Sequence, residues 1–253
     1  MSKTALITGA SSGIGAEIAK ILSSEGFKVI LTARRENKLR SLADSLCGES
    51  RIVVCDLSLP EECERLYNEL KNEKISVLVN NAGFGSLGKF TEIPLETELK
   101  MIDTNIKAVH ILTKLFLKDF VKADRGYILN VASSAGLMPG GPMMAAYYAT
   151  KSYVVSLTGA IYEELRSSGS NVHISALCPG PVDTEFNSVA GCEFSVGPIS
   201  ARECAETGVS GLFEKKLIIV PGKTIRLSEA AARLTPRKLA LAVAGKIQHS
   251  KIK

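Results

Sequence analysis

Two stretches of this chain carry residue types that can do chemistry. The first, Gly9-Ala-Ser11-Ser12-Gly13-Ile14-Gly15, mixes glycines with hydroxyls. Gly9-x-Ser11-x-Gly13 fits a nucleophile elbow, in which Ser11 would attack a carbonyl. Gly9, Gly13 and Gly15 also fit a turn whose backbone N–H groups face a phosphate, an approach that a Cβ would obstruct. Ser11 and Ser12 would then add hydroxyl donors. The second stretch is Tyr147-Tyr-Ala-Thr-Lys151. Its outer residues are four apart on an expected helix and share a face. A free phenol, with a pKa of about 10, is a poor acid or base at neutral pH, and a nearby ammonium lowers that value. Tyr148 is the internal rival, but the spacing to Lys151 favours Tyr147.

The elements that must position these residues alternate along the chain. Apolar, Val/Ile/Leu-rich runs predict strands at Ala5–Thr8, Lys28–Ala33, Arg51–Cys55, Val77–Asn80, Tyr127–Val131, Val172–Leu177 and Leu217–Val220. Helical patterns lie between them, at Ile14–Ser24, Asn37–Leu46, Glu61–Leu70, Glu96–Lys122, Ala146–Ser168 and Ala201–Phe213. This alternation predicts an α/β fold: a doubly wound parallel sheet of about seven strands, with right-handed crossovers and helices on both faces. No linker splits the chain, so residues 1–253 are read as one domain. Phe84–Leu95, Gly136–Met144 and Pro179–Ile199 are expected to be irregular. Each follows a strand, which places them on the ligand side of the sheet. The elbow reading fares badly here, because its turn would follow the first strand rather than a central one. Its acid and base would be Asp183 and His249, with His249 in a basic tail; His110 falls in a helix and His173 opens a strand.

Composition narrows the function classes. Of the 253 residues, 45% are hydrophobic and 23% charged, as in a globular protein with a real core. No apolar run is long enough to span a bilayer. Met1-Ser-Lys-Thr4 runs straight into a strand pattern, so no signal peptide is read and a cytoplasmic location is expected. The six cysteines form no C-x-x-C pair, and with three histidines they predict no metal site. The net charge of +5 is concentrated in a C-terminal extension, about 221–253. That tail is a solvated helix face or a patch for an anionic membrane surface. No zinc-finger or RNP-type motif speaks for nucleic acid.

Thr8-Gly-Ala-Ser-Ser-Gly-Ile-Gly15 resembles the cofactor motif of the short-chain dehydrogenase/reductase family. Asn80-Asn81-Ala82-Gly83, Asn105, Ser133, Tyr147 with Lys151, and Pro179-Gly180 resemble its further motifs, in family order, over about residues 4–185. The resemblance implies a Rossmann-type domain, a nicotinamide cofactor and hydride transfer between a carbonyl and a secondary alcohol. Cofactor contacts are then expected from Gly9, Ser11, Ser12, Gly13, Ile14 and Gly15, from Asn81, Ala82 and Gly83, and from Pro179, Gly180, Val182 and Thr184. Asp56 and Leu57 would border the adenine, or Asp56 would act as a cap or loop residue. Ala33 stands where an NAD-selecting Asp would be, and Arg34 and Arg35 follow it. A guanidinium matches a 2′-phosphate in charge and geometry, so NADP(H) is expected, with Arg34 as the main contact. Glu36 reads as an acid in a helix's first turn rather than as a displaced ribose acceptor.

The same resemblance implies the catalytic set. Tyr147 would exchange the proton, while Lys151 would lower its pKa and bind the nicotinamide ribose. Ser133 would hydrogen-bond the developing alkoxide, and Asn105 would kink its helix and hold a relay water. Counting back from Tyr147 points to Ser134; strand parity favours Ser133, with an insertion near Gly140-Gly141. A substrate loop is read at about 184–200. Phe186, Val189, Phe194 and Val196 there, with Met138, Met143 and Met144 opposite, suggest an apolar substrate. Family members pair through the two long helices, so a homodimer or homotetramer is expected. The tail from Leu227, with Leu234, Leu239, Leu241, Val243 and Ile247, would cap the substrate site, join an interface or rest on a membrane. The rival class is a non-catalytic NADP(H)-binding sensor on the same fold.

Overall fold

The structure is a computed structural model that describes residues 3–191, 197–222, 225–227, 231 and 235–249, the side chains of 247 and 249 excepted. The chain opens with β1 (Thr4–Thr8), α1 (Gly13–Ser24), β2 (Lys28–Ala33), α2 (Glu36–Asp44), β3 (Ser50–Val54) and α3 (Pro60–Leu70). It returns through β4 (Val77–Asn80), α4 (Leu95–Ile102), α5 (Val109–Ala123), β5 (Tyr127–Val131), α6 (Ala145–Ser167) and β6 (His173–Leu177). Then come β7 (Val182–Asp183), α7 (Phe186–Ala190), β8 (Ile199–Ser200), α8 (Ala201–Phe213), β9 (Ile218–Ile219) and α9 (Arg237–His249).

Seven strands form one sheet in the order β3-β2-β1-β4-β5-β6-β9, all pairs parallel. Successive strand residues face opposite sides. Ile7, Leu31 and Val79 pack with Ile18, Leu22 and Leu212 on one face. Leu6, Ile30 and Leu78 pack with Leu66, Leu112 and Phe116 on the other. Burial on both faces is why these strands read as unbroken apolar runs. The chain winds outward from β1 to β3, then crosses back to β4. That reversal opens a crevice at the carboxyl ends of β1 and β4, where sheets of this type bind ligands.

Three expectations are revised. The single helix Glu96–Lys122 is instead α4 and α5 joined by a π-helical turn, Asp103–Ala108. The cause lies in Asn105, whose side chain turns into the interior and bonds the backbone of Phe84. The segment Pro179–Ile199 is not structureless: β7 pairs with β8, and α7 lies between them. The edge strand read at Leu217–Val220 shortens to Ile218–Ile219, since only Ala176 and Leu177 of β6 pair with it.

Buried amides lock the sheet centre to its helices. Asn80 Nδ2 donates to Asn130 Oδ1 at 2.8 Å and to Thr113 Oγ1 at 3.0 Å. Asn130 Nδ2 donates to Thr158 Oγ1 at 3.0 Å. β4, β5, α5 and α6 are thus held in one register just below the crevice.

Candidate active site

The turn after β1 is held by the strand beside it. Thr8 Oγ1 accepts the N–H groups of Asn81 and Ala82 at 2.9 and 3.0 Å and donates to Val79 O at 3.2 Å. Asn81 Nδ2 reaches back to Thr8 O at 2.9 Å and Gly9 O at 3.2 Å. Gly9 and Gly13 have φ of 63° and 57°, where glycine is strongly favoured. A Cβ on Gly15 would stand 2.4 Å from Asn81 Nδ2. Ser12 makes no side-chain cap bond and the first turn of α1 holds no carboxylate. The amide-lined N-terminus of α1 therefore suits an anion, and the turn fits a dinucleotide's pyrophosphate.

At the far end of the crevice, Arg34, Arg35, Asp56 and Leu57 line the cavity wall. Arg35 reaches the glycine turn's hydroxyls. Its Nη2 donates to Ser11 Oγ and Ser12 Oγ, both at 2.9 Å. Its Nη1 pairs with Glu185 at 2.8 Å, and Lys38 closes on the other oxygen of that carboxylate. Lys38 and Arg35 hold the Glu185 carboxyl down at about 2. Burial pushes the Asp56 carboxyl up, but hydrogen bonds from Ser58 and the charge of Arg34 outweigh it and leave it low. Asp56 thus also closes a local turn, accepting from Ser58 N and Oγ.

The second cluster lies across the crevice. Tyr147 and Lys151 are both buried in α6, and the Lys151 ammonium lies 5.9 Å from the centroid of the Tyr147 ring. Lys151 Nζ donates to Val131 O at 2.9 Å. Burial pushes its pKa down to about 8. Asn105 is fully buried; it donates to Phe84 O at 2.9 Å and Thr150 Oγ1 at 3.1 Å and accepts from Phe84 N. Thr150 Oγ1 in turn donates to Tyr147 O at 2.7 Å. A Cβ on Gly83 would come within 2.9 Å of Asn105 Oδ1 and 3.5 Å of Lys151 Nζ, so glycine keeps that approach open. Ser133, at the end of β5, accepts from Ala135 N at 3.1 Å and makes a long bond to Pro179 O at 3.4 Å. Both Ser133 and Ser134 line the cavity.

One cavity of about 400 Å³ contains the catalytic candidates other than Asn105, together with the expected cofactor contacts other than Gly15. Its roof includes Phe84, Met144, Tyr148, Phe186, Val189 and Gln248. The Phe186 ring lies 5.4 Å from that of Tyr147. Of the expected apolar wall, Met138 and Met143 do not line the cavity, and Phe194 and Val196 lie outside the described residues. Ser11 Oγ accepts from Arg35, a cation and not a general base, which speaks against the elbow reading; the His249 side chain that reading invoked lies outside the described residues. Cys55, Cys63 and Cys204 are buried and their thiols pushed up to about 12, far from nucleophilic.

Three contributors were missed in the sequence. Thr8 and Thr150 sit inside motifs that were recognised, so their neighbours carried the signal. Gln248 carried none, because its place in the roof depends on how α9 packs. Arg237 Nη2 donates to Pro139 O at 3.4 Å, and a Cβ on Gly140 would stand 3.0 Å from Leu241 Cδ2. The tail therefore covers the 139–142 loop, with Leu239 and Val243 left exposed. Leu234 and the Ile247 side chain lie outside the described set.

A family model described as short chain dehydrogenase matches residues 3–191. The 3-oxoacyl-[acyl-carrier-protein] reductase FabG of Rickettsia prowazekii is 36% identical over 184 residues, 73% of this chain and 74% of that protein. The uncharacterized oxidoreductase YvaG of Bacillus subtilis is 33% identical over 224 residues, 84% of this chain and 83% of its own. Among solved structures, a short-chain dehydrogenase from Sphingobium yanoikuyae in complex with NADPH superimposes with a TM-score of 0.82 at 28% identity, covering 91% of this chain and 92% of that one. A short chain dehydrogenase/reductase from Burkholderia phymatum in complex with NAD gives 0.83 at 27% identity, covering 90% and 92%.

Proposed function

The chain belongs to the short-chain dehydrogenase family, and from that premise we propose that it is an NADP(H)-dependent oxidoreductase interconverting an apolar carbonyl compound and its secondary alcohol. The observation that carries this reading is a single cavity with a phosphate-fitting turn at one end and the Tyr147–Lys151 pair at the other. Similar proteins have been solved with NADPH and with NAD, so the choice rests on this chain's own residues. Ala33 offers no carboxylate to a ribose 2′-OH, whereas Arg34 and Arg35 offer two guanidiniums to a 2′-phosphate. Arg35, already bonded to Ser11 and Ser12, shares that role with Arg34.

When bound, the nicotinamide supplies the hydride in reduction and accepts it in oxidation. Tyr147 gives its phenolic proton to the carbonyl oxygen as that oxygen gains charge, and in the reverse direction its phenolate takes the alcohol proton. The Lys151 ammonium favours the phenolate and is held in place by Val131 O. Ser133 can exchange its long bond to Pro179 O for one to the developing alkoxide. Asn105 fixes the Phe84 backbone and, through Thr150, the turn of α6 that carries Tyr147. Self-association through the two long helical regions, 96–122 and 146–168, is part of this reading, and Leu99 on α4 and Val121 on α5 are exposed apolar side chains in the first of them. No helix is long and apolar enough to cross a membrane, among the described residues.

The test is NADPH oxidation over a panel of medium-chain and cyclic ketones, with dissociation constants for NADPH and NADH measured in parallel. Turnover of apolar ketones and a clear preference for NADPH are expected. Tight NADPH binding with no turnover across the panel would favour the sensor reading instead.

A further inference from the structure

Gln248, in the last turn of α9, reaches back into the substrate end of the cavity. It is 3% exposed and lines the same cavity as Tyr147. Its Nε2 donates to Tyr148 Oη at 2.7 Å. Its Oε1 is buried and, among the described residues, finds no donor. Buried side-chain oxygens are nearly always paired; four lack a donor among the described residues, those of Asn80, Glu98, Asn187 and Gln248, and only Asn187 and Gln248 line this cavity, where a partner from outside the fold can reach.

The surroundings are shaped to hold this pair. Tyr148 follows Tyr147 directly, with ring centroids 6.3 Å apart, so the reacting phenol and the Tyr148–Gln248 pair border one space. A Cβ on Gly141 would come within 2.3 Å of the Tyr148 ring, so the loop must pass close beneath it. On its other side the loop meets α9, where Gly245 lies against Pro142 and Leu241 against Gly140. Burial pushes the Tyr148 phenol up, which keeps it a neutral donor at physiological pH. A second amide oxygen in the same cavity, Asn187 Oδ1, is also buried without a donor among the described residues, while Asn187 Nδ2 donates to Val182 O.

We propose that Gln248, positioned by Tyr148, recognises a hydroxyl group on the substrate remote from the reacting carbonyl, so that the enzyme prefers hydroxy-ketones and the matching diols. This rests on the reading that Tyr147 marks the reacting end. With Nε2 engaged by Tyr148, a small turn of the amide offers the cavity an acceptor, Oε1, beside a donor, the Tyr148 hydroxyl proton. A substrate hydroxyl satisfies both at once. A carboxylate would set acceptor against acceptor, and the cavity's cations, Arg34, Arg35 and Lys151, line its cofactor and Tyr147 sides. If the amide is turned the other way, its NH2 faces the cavity and a hydroxyl still accepts from it.

The experiment measures binding of methyl ketones of increasing chain length, and of their terminally hydroxylated counterparts, to the protein saturated with NADP⁺. A ketone then has no hydride to take, so affinity is read without turnover. At one chain length the hydroxylated ketone should bind roughly tenfold to a hundredfold more tightly than its parent. In Gln248→Leu that ratio should fall to about one, and in Tyr148→Phe it should fall part of the way. NADPH affinity, measured alongside, reports whether each variant is folded, and Gln248→Met serves if Gln248→Leu is not. A ratio near one at every length, or one unchanged in the Gln248 variants, overturns the proposal. Parent ketones that bind and are reduced, without a hydroxyl preference, leave the reaction assignment standing and sink this one alone. No binding by any member of the series sinks both.

Discussion

The floor and the roof of the cavity differ in how the polar groups that line them are held; beneath the floor, Asn80 Oδ1 is also buried without a donor among the described residues. On the floor, at the strand ends, the working groups are tied down. Thr8 accepts two backbone N–H groups, Asn81 spans the glycine turn, Asn105 bonds at both ends of its amide, and Lys151 is fixed to Val131. In the roof, Asn187 and Gln248 each keep a buried amide oxygen without a donor among the described residues. Met143, in the loop between β5 and α6, sits at a φ of 69°, uncommon for a residue with a side chain. The difference teaches where pre-organisation is invested. On the proposed reading, chemistry shared by many substrates is built into the sheet ends, and recognition of one substrate is left to loops and a terminal helix.

Breaking the floor should cost most. Lys151→Met is expected to lower kcat by about 10²–10⁴-fold, the range of a lost acid–base contribution. The same variant has a signature apart from activity. The folded pKa of Lys151, about 8, lies below the ordinary 10.5. Between those values the unfolded chain holds more protons, so native stability rises with pH through this window; below about 8 the burial cost is present in full. Denaturation of the cofactor-free protein should show a rise of up to about 3 kcal/mol relative to Lys151→Met. Parallel pH profiles would count against a buried, charged Lys151.

Next comes the phosphate end. Arg35→Ala and Arg34→Ala should each weaken NADPH binding by roughly tenfold or more, with far less effect on NADH; equal losses for the two cofactors would refute the 2′-phosphate contact. Gly15→Ala drives a Cβ into Asn81 and should destabilise the fold by about 1–3 kcal/mol, read as a Tm drop of several degrees. A smaller effect, at the seam between floor and roof, is expected for Glu185→Gln. It releases Arg35 and removes a negative charge beside the 2′-phosphate end. NADPH affinity should rise by no more than a few-fold, since exposed ion pairs are worth about 0–1 kcal/mol. A weaker affinity would show that Glu185 positions Arg35 instead of competing for it.

The floor was legible in the sequence and the roof only in part, for physical reasons: Met144, Phe186 and Val189 were read as substrate-facing and line the cavity, whereas Gln248 was not read. The glycine turn and the Tyr147–Lys151 pair were read from residue type and spacing, and Asn81 and Asn105 from the family resemblance; all lie at strand ends or on helices that the apolar pattern places around the crevice. The resemblance led to the expectation that Asn105 kinks its helix, though the π-helical turn itself, Asp103–Ala108, was not foreseen. The seven parallel strands and the helices packed on both faces match the expectation from Val/Ile/Leu runs. Gln248 could not be read, because a residue separated from Tyr148 by 100 positions meets it only through tertiary packing of a tail whose sequence says little beyond charge. The Arg35–Glu185 pair, 150 positions apart, was hidden for the same reason.

The central claim is that Tyr147 moves the proton while the rest of the cavity holds cofactor and substrate. The most direct measurement is Tyr147→Phe on an accepted ketone, with kcat and the NADPH dissociation constant determined on one preparation. The account predicts a fall in kcat of at least about a hundredfold with NADPH affinity changed by less than about threefold. Full turnover in Tyr147→Phe would contradict it.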